Sequence, residues 1–403
     1  MNPPAPALRV LTLAAAALLL TSPGLAPPVR EEGRAAAPVR LLLRVTAPEP
    51  VLRGGQVSTP EVTRTYPLTL SAGQQRSLGA GAPDRALRTL LEGIYARIEA
   101  RTPRDALFFA VEGGWAAQAR TGWRVRRDVT AARVRDAARR GGGEVRVALR
   151  LTPPARTVGK LRERGVVAHL ASGTSGFGGS PDFRVHNIRV GGSRFQGLWL
   201  EPGTVFDFNA RVGQIAAERG FVPGYVIAGQ SLTMEPGGGI CQVSTTVFRA
   251  AYLAGLEIVE RHAHSHQVAY YDPPGFEATV YAPAKNLRFR NDTSAPLLLQ
   301  VGWDLGAQTL SVHLFGGPPD RVVQVTEARI SNRQPALSPT FVADASLGAG
   351  ETRRIDMPSP GMRVQIGRKV RLKGGPLRTD ELHSTYRPWG GVFAVAPGDP
   401  NLR

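Results

Sequence analysis

Cysteine occurs once in the 403 residues, at Cys241. An internal disulfide is thereby excluded, so stability must come from packed cores, of which a chain this long can supply two or three. Acidic residues are outnumbered, 32 Asp plus Glu against 50 Lys plus Arg, for a formal charge of +18. Lysine is scarce and arginine carries most of that charge. No run after the N-terminal segment is apolar enough to span a bilayer. There is no convincing internal repeat, and no aromatic-plus-basic module that would point to nucleic acid.

What the N-terminus does contain points to export. Arg9 is the only charge before residue 27 and precedes an apolar run over residues 10–20. Gly24 and Ala26 are small enough for a signal-peptidase site, so residues 1–26 are expected to form a signal peptide. Left uncleaved, it would hold the chain close to a membrane. An exported basic chain meets anionic cell-envelope polymers or lipid headgroups rather than nucleic acid. A lone thiol in an oxidising compartment is then either an inert core group or one kept for its reactivity.

Hydrophobic periodicity divides the remainder into three units, α+β, mixed β-rich and all-β, of a chain that is α+β overall, after a Pro- and Ala-rich linker over residues 27–40. In residues 41–155, "VRLLLRVTAPE" and "TRTYPLTLSAG" read as strands. "PDRALRTLLEGIYARIEA" reads as a helix with Asp84 at its cap and Leu87, Leu90, Leu91, Ile94, Tyr95 and Ile98 on one face. A hairpin turning at Gly113 and Gly114 follows, then a helix from "DVTAARVRDAARR". "EVRVALRLTPP" alternates as one strand with Val145, Val147, Leu149 and Leu151 on a single face. In residues 160–310 the strands are short and bounded by Gly and Pro. "NARVGQIAAERG" is expected to be a helix capped by Asn209, with Val212, Ile215 and Ala216 inward and Gly220 as its stop. "LEIVERHAHSHQVAYY" is expected to be a strand. Residues 318–403 read as a small all-β module.

The chemistry concentrates around "EPGGGICQVSTT". Gly237, Gly238 and Gly239 permit backbone conformations in which N–H groups converge on one point. Cys241 then falls in the first turn of a helix with Val243, Val247, Ala250, Ala251 and Ala254 on its buried stripe and Gly255 as its end. A helix N-terminus stabilises the thiolate, and the same amides can hold an oxyanion. The Lys-Ser/Thr ending of a phosphate-binding loop is absent. Gln242, Ser244 and Thr245 join the three glycines as candidate substrate-binding residues.

His262, His264 and His266 would share one face of a strand. A neutral imidazole near Cys241 can take and return its proton; three on one face also suit zinc, with Cys241 as a fourth ligand. Asp207, Glu235, Glu260 and Glu277 are the carboxylates that could orient a histidine, and Glu277 is the preferred one. His169, His186, His313 and His383 are isolated and carry no assigned role.

"PGTVFDFNARVG", "GGGICQVSTTVFRAAYLAGLEIVERHAHS" and "DPPGFEATV" together resemble the VanW family over residues 165–305. Residues 60–155 resemble more weakly the peptidoglycan-binding domain often placed before it, and the C-terminal segment resembles envelope-associated β-modules. The resemblance implies a cell-wall protein, and for some members an L,D-transpeptidase acting on peptidoglycan peptide stems through the motif cysteine. Carried over, it makes Cys241 the nucleophile and matches His262 and His264 to the family's histidine pattern, leaving His266 outside it. The family usually has Asp at the positions of Glu277 and Asn286. No metal or other cofactor is called for. A wall-binding or glycopeptide-resistance accessory without catalysis, and a zinc-dependent hydrolase using the three histidines, remain as alternatives.

Overall fold

The computed structural model describes residues 37–79, 85–228 and 231–402. The expected signal peptide, most of the linker and the Asp84 cap lie outside them. The chain is α+β and rich in strand.

In the N-terminal unit, Val39–Pro48 is the centre of a three-stranded sheet, antiparallel to Glu61–Leu70 and parallel to Gly143–Arg146. Helices Arg85–Glu99 and Arg127–Arg139 cover it. Leu87, Leu91, Ile94, Tyr95 and Ile98 enter the core with Leu41, Leu43, Val45 and Trp123, whereas Leu90 lies at the edge of the stripe and is exposed. The segment expected to be one strand over 144–152 is two. Gly143–Arg146 pairs with the first sheet, while Leu149–Thr152 pairs with Gly122–Val125. The alternation therefore runs through a change of partner; Val145 and Val147 are buried and Leu151 is exposed.

The hairpin Arg104–Val111/Gly114–Arg120 turns at Gly113 and Gly114 as expected, but it packs on the central unit. Phe108 stacks on Phe315 with ring centroids 3.9 Å apart. The Gln300 carboxamide accepts from Phe108 N at 2.9 Å and donates to Phe108 O at 2.7 Å, acting as a short length of strand. A polar side chain buried here is tolerated because both its ends are bonded. Close by, Ser172 Oγ lies 2.7 Å from both His169 Nε2 and His313 Nδ1, and Trp115 stacks on His169. Burial lowers the pKa of both imidazoles, to about 4 for His313, so they are neutral parts of the junction.

The central unit is built on an antiparallel sheet in the order Ala168–Gly176, Thr309–Gly316, Leu297–Asp304, Leu198–Leu200. The cysteine helix, Ile240–Leu253, lies across it. Gly173 makes the close approach: a Cβ there would fall 2.2 Å from Thr246 O. The helix is buried almost all round, beyond the stripe that periodicity marks, because helix Asp182–Ser193 and the C-terminal unit cover its other sides. The segment around Asn209 is not one helix. Asp207 caps a short helix, Phe208–Val212, by accepting from Ala210 N at 2.9 Å, and Gly213 at φ +71° ends it.

In the C-terminal unit, Gly361–Leu372 pairs with Arg321–Val325, Arg329–Gln334 and Leu377–Tyr386. Met362, Val364, Ile366, Leu382 and Tyr386 join the same core as the cysteine helix. Arg368 is 2% exposed, pairs with Asp380, and donates to Tyr252 O at 2.9 Å and Leu256 O at 3.0 Å. It thus satisfies carbonyls at the helix C-terminus, where a cation also opposes the negative end of the dipole.

Candidate active site

The turn before the cysteine helix needs its glycines. Gly237 and Gly239 take φ of +94° and +108°, and Cβ atoms there would meet Ile215 Cγ2 at 2.3 Å and Arg184 Cγ at 2.9 Å. Both the left-handed backbone and the lack of space exclude a side chain. The amides of Gly237, Ile240 and Gln242 bond Val222 O, Gly237 O and Gly239 O. Among the described residues those of Gly238, Gly239 and Cys241 have no backbone acceptor, so they are the candidate donors for an oxyanion at this turn.

Cys241 is partly exposed at the start of the helix. Its Sγ lies 3.4 Å from Thr279 Oγ1 and 3.6 Å from Val280 O, and the His264 imidazole is near enough to act on the thiol electrostatically. His264 Nδ1 bonds Glu277 Oε2 at 2.5 Å, which leaves Nε2 toward the sulfur. Glu277 is 1% exposed and its other oxygen accepts from His264 N at 3.2 Å and from the Tyr386 hydroxyl at 2.8 Å. Tyr386 in turn accepts from Gly275 N at 2.7 Å. Arg261 clamps the same loop by donating to Glu277 O at 2.6 Å, Gly275 O at 2.8 Å and Ser384 Oγ at 3.0 Å.

This arrangement sets the protons. Burial raises the Cys241 pKa, but the adjacent His264 imidazole outweighs it and brings the thiol below its ordinary value. Burial lowers the His264 pKa, but the Glu277 carboxylate and Cys241 reverse this and push it up to about 10. For Glu277, burial is outweighed by His264, Tyr386 and Arg261, and its pKa falls. His264 is thus kept as an imidazolium at neutral pH beside the Glu277 carboxylate, and its positive charge favours the thiolate form of Cys241.

The three histidines diverge, because residues beyond Glu260 leave the strand Glu257–Glu260 for separate partners. His262 Nε2 bonds Glu260 Oε1 at 2.9 Å. His266 Nδ1 donates to Arg387 O at 3.0 Å, and its ring packs on Trp389. Only His264 reaches Cys241, so His262 is removed from the catalytic set and the shared zinc face is not formed. No group of three or more His, Cys, Asp or Glu side chains is placed to hold a metal among the described residues.

Gln242, Ser244 and Thr245 are fully buried. Gln242 Nε2 donates to Gly176 O at 2.6 Å, and Ser244 and Thr245 hydroxyls donate to Ala278 O at 2.6 and 3.2 Å. They seat the helix against the irregular segment that carries Glu277 rather than open to solvent. Asp207 and Glu260 are tied to Asn286, through Asn286 Nδ2 at 2.8 Å and Asn286 N at 3.1 Å, away from the thiol. Tyr386 and Arg261 were missed: nothing in their local sequence separates them from any strand tyrosine or surface arginine.

Fold and site together define an α+β, β-rich chain of several units that holds a Cys–His–Glu constellation at a helix N-terminus. Residues 183–315 match the family model described as VanW like protein, so the chain carries a VanW-like domain. The uncharacterized protein YoaR of Bacillus subtilis (strain 168) is 35% identical over 141 residues, covering 34% of this chain and 46% of that protein. The vancomycin B-type resistance protein VanW of Enterococcus faecalis (strain ATCC 700802 / V583) is 28% identical over 127 residues, covering 30% and 46%. The matches thus span about half the length of these relatives. A solved structure described as HP0197-G5 aligns at 16% identity over 19% of this chain and 97% of its own, with a TM-score of 0.11 that carries no argument. The matched domain contains Cys241, His264 and Glu277; Tyr386 lies beyond it.

Proposed function

We propose that this protein is a cell-envelope cysteine acyltransferase of the L,D-transpeptidase type, acting on peptidoglycan peptide stems. The observation that carries the reading is the juxtaposition of Cys241, His264 and a buried Glu277 at the glycine turn that opens the cysteine helix. The cell-wall setting comes from the resemblance to a vancomycin-resistance protein.

In the first half-reaction the Cys241 thiolate attacks the carbonyl of the terminal peptide bond of a tetrapeptide stem. The oxyanion sits on the free turn amides, and His264 Nε2–H protonates the leaving amine as the C–N bond breaks. A thioester remains on Cys241. An amine of a neighbouring stem then attacks it, His264 takes the amine's proton, and the thiolate leaves with a new amide bond formed. Glu277 keeps the imidazole oriented throughout and charged until it gives its proton to the leaving amine, as the third member of such a triad does. Water in place of the amine gives hydrolysis instead of a cross-link.

Incubation with disaccharide-tetrapeptides, followed by mass spectrometry, tests this. The expected products are a thioester adduct on Cys241 and cross-linked dimers, both missing in Cys241→Ala. Since losing one small, partly exposed side chain costs about 1 kcal/mol of stability, that variant should remain folded. Dimers formed by the alanine variant would refute the reading. If wild type forms neither adduct nor dimer yet binds the stems, the accessory role is left, which the resistance-protein relative favours.

A further inference from the structure

One cation beside the nucleophile is not used by the triad. Arg184, on helix Asp182–Ser193, packs its stem along the glycine turn, 2.9 Å from where a Gly239 Cβ would lie. Its guanidinium stacks 4.0 Å from the Tyr270 ring centroid and donates to Ser180 Oγ at 2.6 Å. It also reaches the Tyr271 hydroxyl at 3.5 Å, and the Tyr271 ring packs on His264 with centroids 5.1 Å apart. The guanidinium therefore stands between the turn that leads into Cys241 and a tyrosine that touches its imidazole.

All of these partners are neutral. Arg290, Arg321 and Arg368 of the same units meet Glu257, Asp292 and Asp380, while Arg249 and Arg261, which lack a carboxylate partner, each have their donors taken up by four bonds, nearly all to backbone carbonyls. Among the described residues Arg184 has no carboxylate partner. A guanidinium has five N–H donors, and here two are engaged, one of them at long range. Half-burying a cation without a counter-ion is unfavourable unless an anion arrives to match it. Stacking on Tyr270 fixes the plane of the fork, so a planar anion can be met in two-bond geometry with little further ordering.

We infer that Arg184 forms the subsite for the free carboxylate of the acyl donor, the C-terminal carboxylate of the amino acid that leaves. The inference rests on the acyl-transfer reading and adds to it a rule for which bond is cut. In a terminal residue the carboxylate is one carbon from the scissile nitrogen, so it must lie close to the sulfur and to His264. As the C–S bond forms and the C–N bond breaks, the proton of His264 passes to that nitrogen. The amino acid then departs with its carboxylate still on Arg184. An internal peptide bond would place a neutral amide against the guanidinium instead, and would be bound and cut less well.

The test compares a disaccharide-tetrapeptide ending in a free carboxylate with its C-terminal amide, on the full chain. Binding is measured by calorimetry in the Cys241→Ala background, and kcat/KM in proteins that retain the cysteine. The free acid should bind about 10- to 100-fold more tightly than the amide, the range of one charge-assisted contact. Arg184→Gln, which keeps the packed stem, should erase that preference by weakening only the free acid, and Arg184→Lys should restore part of it. Iodoacetamide reactivity of Cys241 and circular dichroism of the variants report whether the site is intact. Equal binding of acid and amide by wild type, or equal losses for both in Arg184→Gln, overturns the carboxylate subsite and leaves Arg184 a packing residue. A carboxylate preference in binding with no turnover of either donor supports the subsite and overturns the transferase. Failure to bind either peptide overturns the subsite.

Discussion

Replacing Tyr386 by Phe removes one oxygen from the C-terminal unit and should be felt at the thiol. The hydroxyl donates to Glu277 Oε1 at 2.8 Å and accepts from Gly275 N at 2.7 Å, in a place where Tyr386 is 3% exposed. Phe keeps the ring packing but leaves a carboxylate short of a donor and an amide short of an acceptor. A hydrogen bond to a charged group contributes about 1.5–3 kcal/mol, and a buried unpaired amide costs about 1–3 kcal/mol. Because both losses share one site they will not add fully, and a destabilisation of about 2–4 kcal/mol is expected. The sign with pH follows from Glu277, whose pKa is lowered in the folded state. Its contribution is present above the ordinary carboxylate value of about 4.3 and fades as pH falls through the folded value. Denaturant unfolding should therefore show the full loss at pH 7 and a smaller one near pH 4. At the site, weaker support of the carboxylate raises its pKa, by about 1–2 units if the whole charged bond is lost. Iodoacetamide alkylation of Cys241 should stay near its wild-type rate at pH 8 and decline earlier on the acid side. Unchanged stability together with an unchanged acid limb would refute the claim that the C-terminal unit braces the triad.

Three further outcomes follow from the same geometry. His264→Asn should cut acyl transfer by at least about 100-fold, the usual range for a general acid–base group, while His262→Asn, at a residue whose side chain bonds Glu260, should leave the rate within about 3-fold of wild type; comparable kcat/KM losses would show that the imidazoles had been assigned wrongly. The pH–rate profile of acylation should hold up through neutral pH and fall on the alkaline side near pH 10, where His264 loses its proton, and a fall near pH 6.5 would mean that Glu277 does not hold the imidazolium. Arg368→Met should destabilise the chain by about 3–5 kcal/mol, because it strands Asp380 and uncovers the carbonyls of Tyr252 and Leu256; calorimetric unfolding that matches wild type would contradict that bracing.

The amino-acid sequence by itself determined the local parts. Alternation and 3.6-residue spacing were enough for Val39–Pro48, Arg85–Glu99 and the hairpin at Gly113, where one face meets one core. The glycine run placed Cys241 in the first turn of a helix because only glycine suits the backbone at Gly237 and Gly239. Glu277 was singled out as lying on a strand after the Pro-Pro-Gly turn, but that segment is irregular and pairs only through the isolated bridge of Thr279 with His262. Where tertiary partners compete with local pattern, the reading failed. The strand expected through Tyr271 breaks after Glu260, since Thr279, Glu277 and Arg387 each draw a different backbone or side-chain group. For the same reason three histidines at period two, which a strand would have aligned, serve three separate ends. Gln242, Ser244 and Thr245 face inward because the helix is covered almost all round and, in its first turn, leaves Cys241 partly exposed. Only the tertiary structure could bring Tyr386, 109 residues further along the chain, onto the Glu277 carboxylate. A buried carboxylate is kept charged by every donor that reaches it, and long-range donors leave no periodic trace in the sequence.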